Sequence, residues 1–131
     1  MFPVCFDATT EDTEAWGPDG SFMWHSSAEL NGAAFAGKIA AYPGSGYVVE
    51  FPAFDLENGS SADAAADLVQ SLQDNSWIDC KTRAVFIEMN LYNPNANHFC
   101  VATLLVEFPT VGGVLTSSDF SVHKVRGMML Y

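Results

Sequence analysis

Over residues 83–92 apolar and polar side chains alternate. Val85, Ile87, Met89 and Leu91 point one way, and Phe86, Glu88, Asn90 and Tyr92 the other. A period of two is that of a β-strand with one face in a core. Asn93-Pro94-Asn95-Ala96-Asn97 cannot prolong that strand and marks a turn. Residues 99–108 are again rich in strand formers, with Cys100, Ala102, Leu104 and Val106 on one face, so the two runs predict a long hairpin. Pro109 and Gly112-Gly113 end it, and 119–126 supplies a last strand anchored by Phe120 and Val122.

The helical period occurs earlier. Ala65, Val69, Leu72 and Ser76 recur at helical spacing with Ala62, Ala66 and Leu68 alongside, which predicts a helix over 62–74. Ser60 or Ser61 is its expected N-cap, and Asp63 and Asp67 favour the positive end of its dipole. Ser26-Ser27-Ala28-Glu29 reads as a capping box opening one or two turns, closed by Gly32 in a left-handed conformation. Residues 38–42 and 47–51, joined by the turn cluster Pro43-Gly44-Ser45-Gly46, predict a short hairpin. The order α-β-β-α-β-β-β predicts an α+β fold, an antiparallel sheet with helices packed on one face, as one domain over 1–131.

Charge narrows the partners. Among 131 residues, five Lys and Arg face sixteen Asp and Glu, a formal net charge of −11. That excludes nucleic acid, whose phosphates need clustered cations, and anionic lipid headgroups. No window is long and apolar enough for a membrane-spanning helix, and residues 1–6 lack the basic-then-apolar order of a secretory signal.

Candidate chemistry is sparse. Cys5, Cys80 and Cys100 have no zinc-type spacing, and their odd number leaves at least one thiol without a partner in the chain. His25, His98 and His123 are scattered, and no nucleophile elbow, phosphate loop, zinc-protease or dinucleotide motif is present. No enzyme, metal or cofactor is therefore expected. Glu11, Asp12, Glu14 and Asp19 read as a solvated acidic loop in preference to a calcium site, since their spacing is not that of an EF-hand. Asn58-Gly59-Ser60 is a glycosylation sequon. Asp79 and Arg83, four apart, suit either an ion pair or a backbone bond that pins the loop after the helix.

Read as text, the sequence resembles the large extracytosolic domain between the first two transmembrane helices of polycystin-2-type channels, a branch of the TRP superfamily. The resemblance runs nearly end to end. It is carried by Thr10-Glu11-Asp12-Thr13 with Gly17-Pro18, by Ser27-Ala28-Glu29-Leu30-Asn31-Gly32, and by Tyr42-Pro43-Gly44-Ser45-Gly46-Tyr47-Val48-Val49. Further blocks are Trp77-Ile78-Asp79, Thr82-Arg83-Ala84-Val85-Phe86, Tyr92-Asn93-Pro94-Asn95-Ala96-Asn97, Phe99-Cys100, and Leu104-Leu105-Val106-Glu107-Phe108-Pro109 with Gly112-Gly113-Val114.

The resemblance implies the polycystin (TOP) fold, four copies of which form a lid above the pore of a non-selective, calcium-permeable cation channel. It implies a role in tetramer assembly and gating without catalysis. The implied partners are sister polycystin subunits, as a homo- or heterotetramer, and the channel's own pore domain. The implied place is the extracellular or lumenal side of a ciliary, plasma or endoplasmic reticulum membrane, where Asn58 would carry a glycan. Trp77, Arg83, Tyr92, Asn93, Asn97 and Phe99 are the interface or structural positions it suggests.

Cys5 falls where relatives have a cysteine bonded to one further upstream, in a finger that inserts onto the neighbouring subunit. That partner is outside the chain, so the isolated chain is expected to be a monomer. Departures from the family pattern are Cys80 in place of a basic residue, Pro94 in place of alanine and His98 in place of an apolar residue. A secreted ligand-binding module without catalysis is the alternative from a different functional class.

Overall fold

A computed structural model of the chain describes residues 14–51 and 60–125. Cys5 and Asn58, with Glu11 and Asp12 of the acidic segment, lie outside the described residues.

The three long strands are β5 (Ala84–Asn93), β6 (His98–Glu107) and β7 (Leu115–Lys124). They form an antiparallel meander, β5-β6-β7, in unbroken register from Ala84↔Glu107 to Asn93↔His98 and from His98↔Lys124 to Glu107↔Leu115. The alternating hairpin is thus present within one residue of its expected ends. β7 begins four residues before the expected strand and ends at Lys124, because Leu115 and Thr116 already pair with Glu107 and Val106.

Helix α1 (Ser27–Leu30) has Ser26 as its N-cap, with the full capping box. The Ser26 N–H donates to Glu29 Oε2 at 2.7 Å, and the Glu29 N–H donates to Ser26 Oγ at 3.3 Å. Its left-handed terminus is Asn31 (φ 48°) and not Gly32. Gly32 has a different reason to be glycine: it lies against Gly44, and a Cβ on either would strike the other's backbone. Helix α2 (Ser60–Asp74) starts earlier than the periodicity predicts, so the serines expected as caps are its first residues.

The described residues also contain four short strands: β1 (Trp24–His25), β2 (Phe35–Ala36), β3 (Ala41–Tyr42) and β4 (Gly46–Tyr47). The hairpin expected between 38–42 and 47–51 is absent. β3 pairs with β2 across the turn Gly37-Lys38-Ile39-Ala40, where Gly37 N–H donates to Ala40 O at 2.8 Å. β4 pairs with β1, Trp24 opposite Tyr47. Pro43-Gly44-Ser45 therefore links two different pairings and does not close one.

Contacts divide the chain into two units, Met1–Phe35 with Pro43–Thr82, and Ala36–Tyr42 with Arg83–Tyr131. In the first, Trp16 and Phe22 form an isolated antiparallel bridge. Trp16 and Phe22 exchange backbone hydrogen bonds of 3.0 and 2.9 Å around the turn Pro18–Gly20. Their rings meet at 4.9 Å, and Tyr47 stacks edge-on to Trp16 and Trp24. In the second unit Leu105 and Glu107, on the face shared with Phe86 and Glu88, are fully buried, and so is Ala102 on the opposite face, whereas Ile87, Met89 and Leu91 beside Ala102 stand exposed.

Candidate functional site

Two polar constellations organise the sheet unit, one at each end of its hairpin. At the tip, Tyr92, Asn93 and Asn97 converge. Asn93 Oδ1 accepts from the N–H groups of Asn95 and Ala96 at 3.0 and 3.3 Å, an Asx-type turn that compensates for the donor Pro94 lacks. Asn97 takes a left-handed backbone (φ 51°), which asparagine tolerates better than most residues. Its Oδ1 accepts from the Tyr92 hydroxyl at 2.9 Å, its Nδ2 donates to the Val125 carbonyl, and its own carbonyl accepts from Val125 N–H at 2.9 Å. Phe99 pairs with Tyr92 and His123 across the sheet. Four of the six expected positions are therefore neighbours. The polar atoms of Tyr92, Asn93 and Asn97 make bonds that hold the tip in shape, while the Tyr92 side chain as a whole remains 55% exposed.

At the open end the organising residue is Glu107, which sequence reading missed. Its carboxylate is inaccessible to solvent. Oε2 accepts from Lys38 N–H at 2.9 Å, and Oε1 accepts from Ile39 N–H at 3.0 Å and from the Tyr42 hydroxyl at 2.9 Å. A carboxylate thus clamps the β2–β3 turn to the central strand, and Lys38 Nζ adds a bond to the Thr116 carbonyl at 2.8 Å. Burial alone would push the Glu107 carboxyl up. The N–H donors of Ile39 and Lys38, the Tyr42 hydroxyl and the Ala40 N–H outweigh that and hold it below its ordinary value. Tyr42 is pushed up, first by burial, then by its bond to Glu107 and that residue's charge, with Arg83 opposing. With both oxygens engaged by donors, Glu107 is a structural anchor and not a poised base. The signal for it was an acid at an inward position of β6, in step with Val101 and Leu105.

Arg83 adjoins this end. Its carbonyl accepts from Phe108 N–H at 2.9 Å, closing the ladder before β5 begins. Trp77 belongs to the other unit, where the end of α2 fixes its backbone. Trp77 N–H reaches Leu72 O at 2.9 Å and Ser76 N–H reaches Gln73 O at 3.1 Å, around a left-handed Ser76 (φ 51°). This is a Schellman end in which serine occupies the position that usually belongs to glycine. The Trp77 indole N–H is buried and finds no hydrogen-bond partner among the described residues. Next to it, Asp79 Oδ1 accepts from Lys81 N–H, Thr82 N–H and the Thr82 hydroxyl at 2.9–3.2 Å. The backbone bond is thus the alternative realised for Asp79.

Cys80 is exposed and Cys100 half-buried, both as free thiols. His25, His98 and His123 occupy separate strands, and Ser121 and His123 share a hydrogen bond of 2.8 Å on β7. Among the described residues no cluster of three His, Cys, Asp or Glu side chains can hold a metal, and no helix is long and apolar enough to cross a membrane.

Comparison with known proteins gives the arrangement a family. The polycystin domain profile matches residues 8–126. Human polycystin-2-like protein 1 is 37% identical over 126 residues, 92% of this chain and 15% of the relative. Zebrafish (Danio rerio) polycystin-2 is 33% identical over 122 residues, covering 92% of this chain and 13% of its own length. Human polycystin-1 is 35% identical over 109 residues, 82% of this chain but 2% of the relative. The chain therefore spans about a seventh, or less, of the length of these relatives. The match takes in both ends of the hairpin, the Glu107 clamp and the Trp77 loop, and on these grounds the chain belongs to the polycystin domain family.

Proposed function

We propose that this polycystin domain is the extracytosolic part of a polycystin-2-like, non-selective and calcium-permeable cation channel. In this reading it lies between the first two transmembrane helices, helps four subunits assemble, influences gating and runs no reaction of its own. The observation that carries the reading is the end-to-end match to polycystin-2 relatives, of which this chain is a small part. The absence of a spanning helix among the described residues accords with a lid outside the bilayer. Its partners are sister polycystin subunits and the channel's pore domain, and its place is the lumenal or extracellular side of a multi-pass protein.

The hairpin tip suits assembly, because its backbone is fixed by its own side chains and so presents Tyr92 without a further ordering cost. Asn58 on this reading is glycosylated, and Cys5 bonds to a cysteine of the parent protein outside this chain.

The test uses the full-length product of the parent gene. An epitope inserted in the 93–97 turn should be reached by antibody only from the extracytosolic side, and deleting 14–125 should convert tetramers to smaller species on native gels. Arg83→Ala should weaken assembly of that channel more than it lowers the melting temperature of the 131-residue chain. A parent product without flanking hydrophobic segments, or full tetramers after the deletion, would overturn the reading.

A further inference from the structure

Asn31-Gly32 is one of two Asn-Gly pairs in the chain, and it sits at the end of helix α1. An asparagine followed by glycine loses its side-chain amide spontaneously, because no Cβ on the second residue obstructs that residue's own nitrogen. The Gly32 nitrogen gives up its proton to base, and its electron pair forms a bond to Asn31 Cγ. The Cγ–Nδ2 bond breaks, and ammonia leaves with a proton taken from water. Water then opens the succinimide on one side or the other, which gives aspartate or isoaspartate. Nothing is oxidised or reduced. Both reacting atoms belong to adjacent residues, so no second surface takes part.

The folded chain holds this pair in an unreactive state. Gly32 N–H donates to Ser27 O at 3.0 Å, and Asn31 N–H donates to the same carbonyl. Proton loss from the Gly32 nitrogen therefore breaks a bond. Asn31 has φ 48° and ψ 34°, a ψ that turns the Gly32 nitrogen away from Asn31 Cβ, whereas ring closure needs the two eclipsed about the Cα–C bond. Both obstacles last only as long as α1 does. The helix is four residues long, too short to persist by propensity. It rests on the Ser26–Glu29 box, in which the Ser26 N–H and hydroxyl donate to Glu29 Oε2 at 2.7 and 3.0 Å.

The product cannot restore what it replaces. An isoaspartate routes the backbone through Cβ and Cγ, a path one atom longer, and so displaces Gly32. There is no room for this: a Cβ built on Gly32 lies 3.0 Å from Gly44 C and Cα, with Gly44 O closer still. Either product also puts a new carboxylate at the negative end of α1, in a chain already at −11. We propose that Asn31-Gly32 is a deamidation site gated by helix α1, whose opening admits the reaction and whose end the isoaspartyl product cannot re-form. The inference is independent of the channel reading, since it concerns a bond inside the chain.

The test follows the 131-residue chain at mildly alkaline pH, folded and in guanidinium, by peptide mapping with mass spectrometry, which separates Asn31-Gly32 from Asn58-Gly59. The folded chain should convert at Asn31 roughly tenfold or more slowly than the unfolded one. Opening and closing of the helix are far faster than amide loss, so the folded rate follows the open population. Ser26→Ala removes the cap and should raise the folded rate about fivefold, with the rate in guanidinium unchanged. Glu29→Ala removes the other half of the box and should act in the same direction, so a folding failure of one variant leaves the other. Equal rates in the folded and unfolded parent overturn the proposal. So do folded variants that convert no faster than the parent, or an Asn31 that stays intact in all three folded chains. Chain isolated as the isoaspartyl form should melt below Asn31→Asp, which carries the charge without the longer backbone, and equal melting overturns the irreversibility of the step.

Discussion

Alanine at Gly37 tests the Glu107 clamp most directly. A Cβ built there stands 2.7 Å from Glu107 Cδ and 2.9 Å from Tyr42 Cε2, with Glu107 Oε1 closer still, all inside the 3.0 Å that real Cβ contacts respect. The far end of a glutamate can ordinarily swing aside. This one cannot, because Lys38 N–H, Ile39 N–H and the Tyr42 hydroxyl hold its oxygens at 2.9–3.0 Å and no water replaces them in a buried site. The turn must move instead.

Forcing one extra carbon into a tight site costs typically about 1–3 kcal/mol, and the lost freedom of the unfolded glycine returns about 0.4–1 kcal/mol. A net loss of about 1–2 kcal/mol follows, a fall in Tm of roughly 3–8 °C for a chain of this length. Circular dichroism melts and urea titrations of Gly37→Ala against the parent chain read it. In a Glu107→Ala background the obstacle is gone, and the same substitution should turn neutral or slightly stabilising. An unchanged or raised Tm for Gly37→Ala alone, or an equal penalty in both backgrounds, would refute the clamp.

The clamp also sets a pH window. Glu107 is held below its ordinary value, so its contribution is complete above about pH 4.3 and is lost as pH falls through the folded value. Tyr42 is raised, so its contribution is complete below about pH 10 and is lost as pH climbs through the folded value. Stability measured by urea titration across pH should fall at both ends, with Glu107→Gln showing a shallower acid limb. Ser76→Gly, at the left-handed end of α2, should stabilise by about 0.5–1 kcal/mol, read as a higher urea midpoint. Gly44→Ala would set a Cβ 2.8 Å from Gly32 Cα and should destabilise by about 1–3 kcal/mol; a neutral result would mean that the two backbones do not touch in solution.

What the sequence revealed was local. Alternation located β5 and β6 because each residue's direction depends on its immediate neighbours, and the Ser26–Glu29 box spans three positions. The failures were long-range. Pro43-Gly44-Ser45-Gly46 looks like a hairpin turn in isolation, yet the nearby turn that does close a hairpin, 37–40, is stabilised by a carboxylate 69 residues away from Lys38. Gly32 looks like a helix cap, but its smallness serves Gly44, while Asn31 performs the cap. Alternation likewise shows which side chains share a face without showing which face is covered. Of the tip residues marked in the sequence, Tyr92, Asn93 and Asn97 make hydrogen bonds that serve the turn.

The acid-rich composition and the clamp have a common physical logic. With five cations for sixteen acids, a buried carboxylate on β6 has few Lys or Arg available to neutralise it, and an unpaired buried charge is not tolerated. The donors in ample supply are backbone N–H groups, but a strand's are already committed to its neighbours. A turn's are free. Bringing the 37–40 turn over the end of β6 gives Glu107 two of those donors with good geometry, and gives the turn the partner that its short β2–β3 ladder cannot supply. Because the bonds run between a carboxylate and fixed peptide dipoles in a site closed to water, mobile ions screen them weakly. The clamp should therefore persist at salt concentrations that weaken surface charge pairs, and the acidic surface and the ordered turn respond to separate conditions.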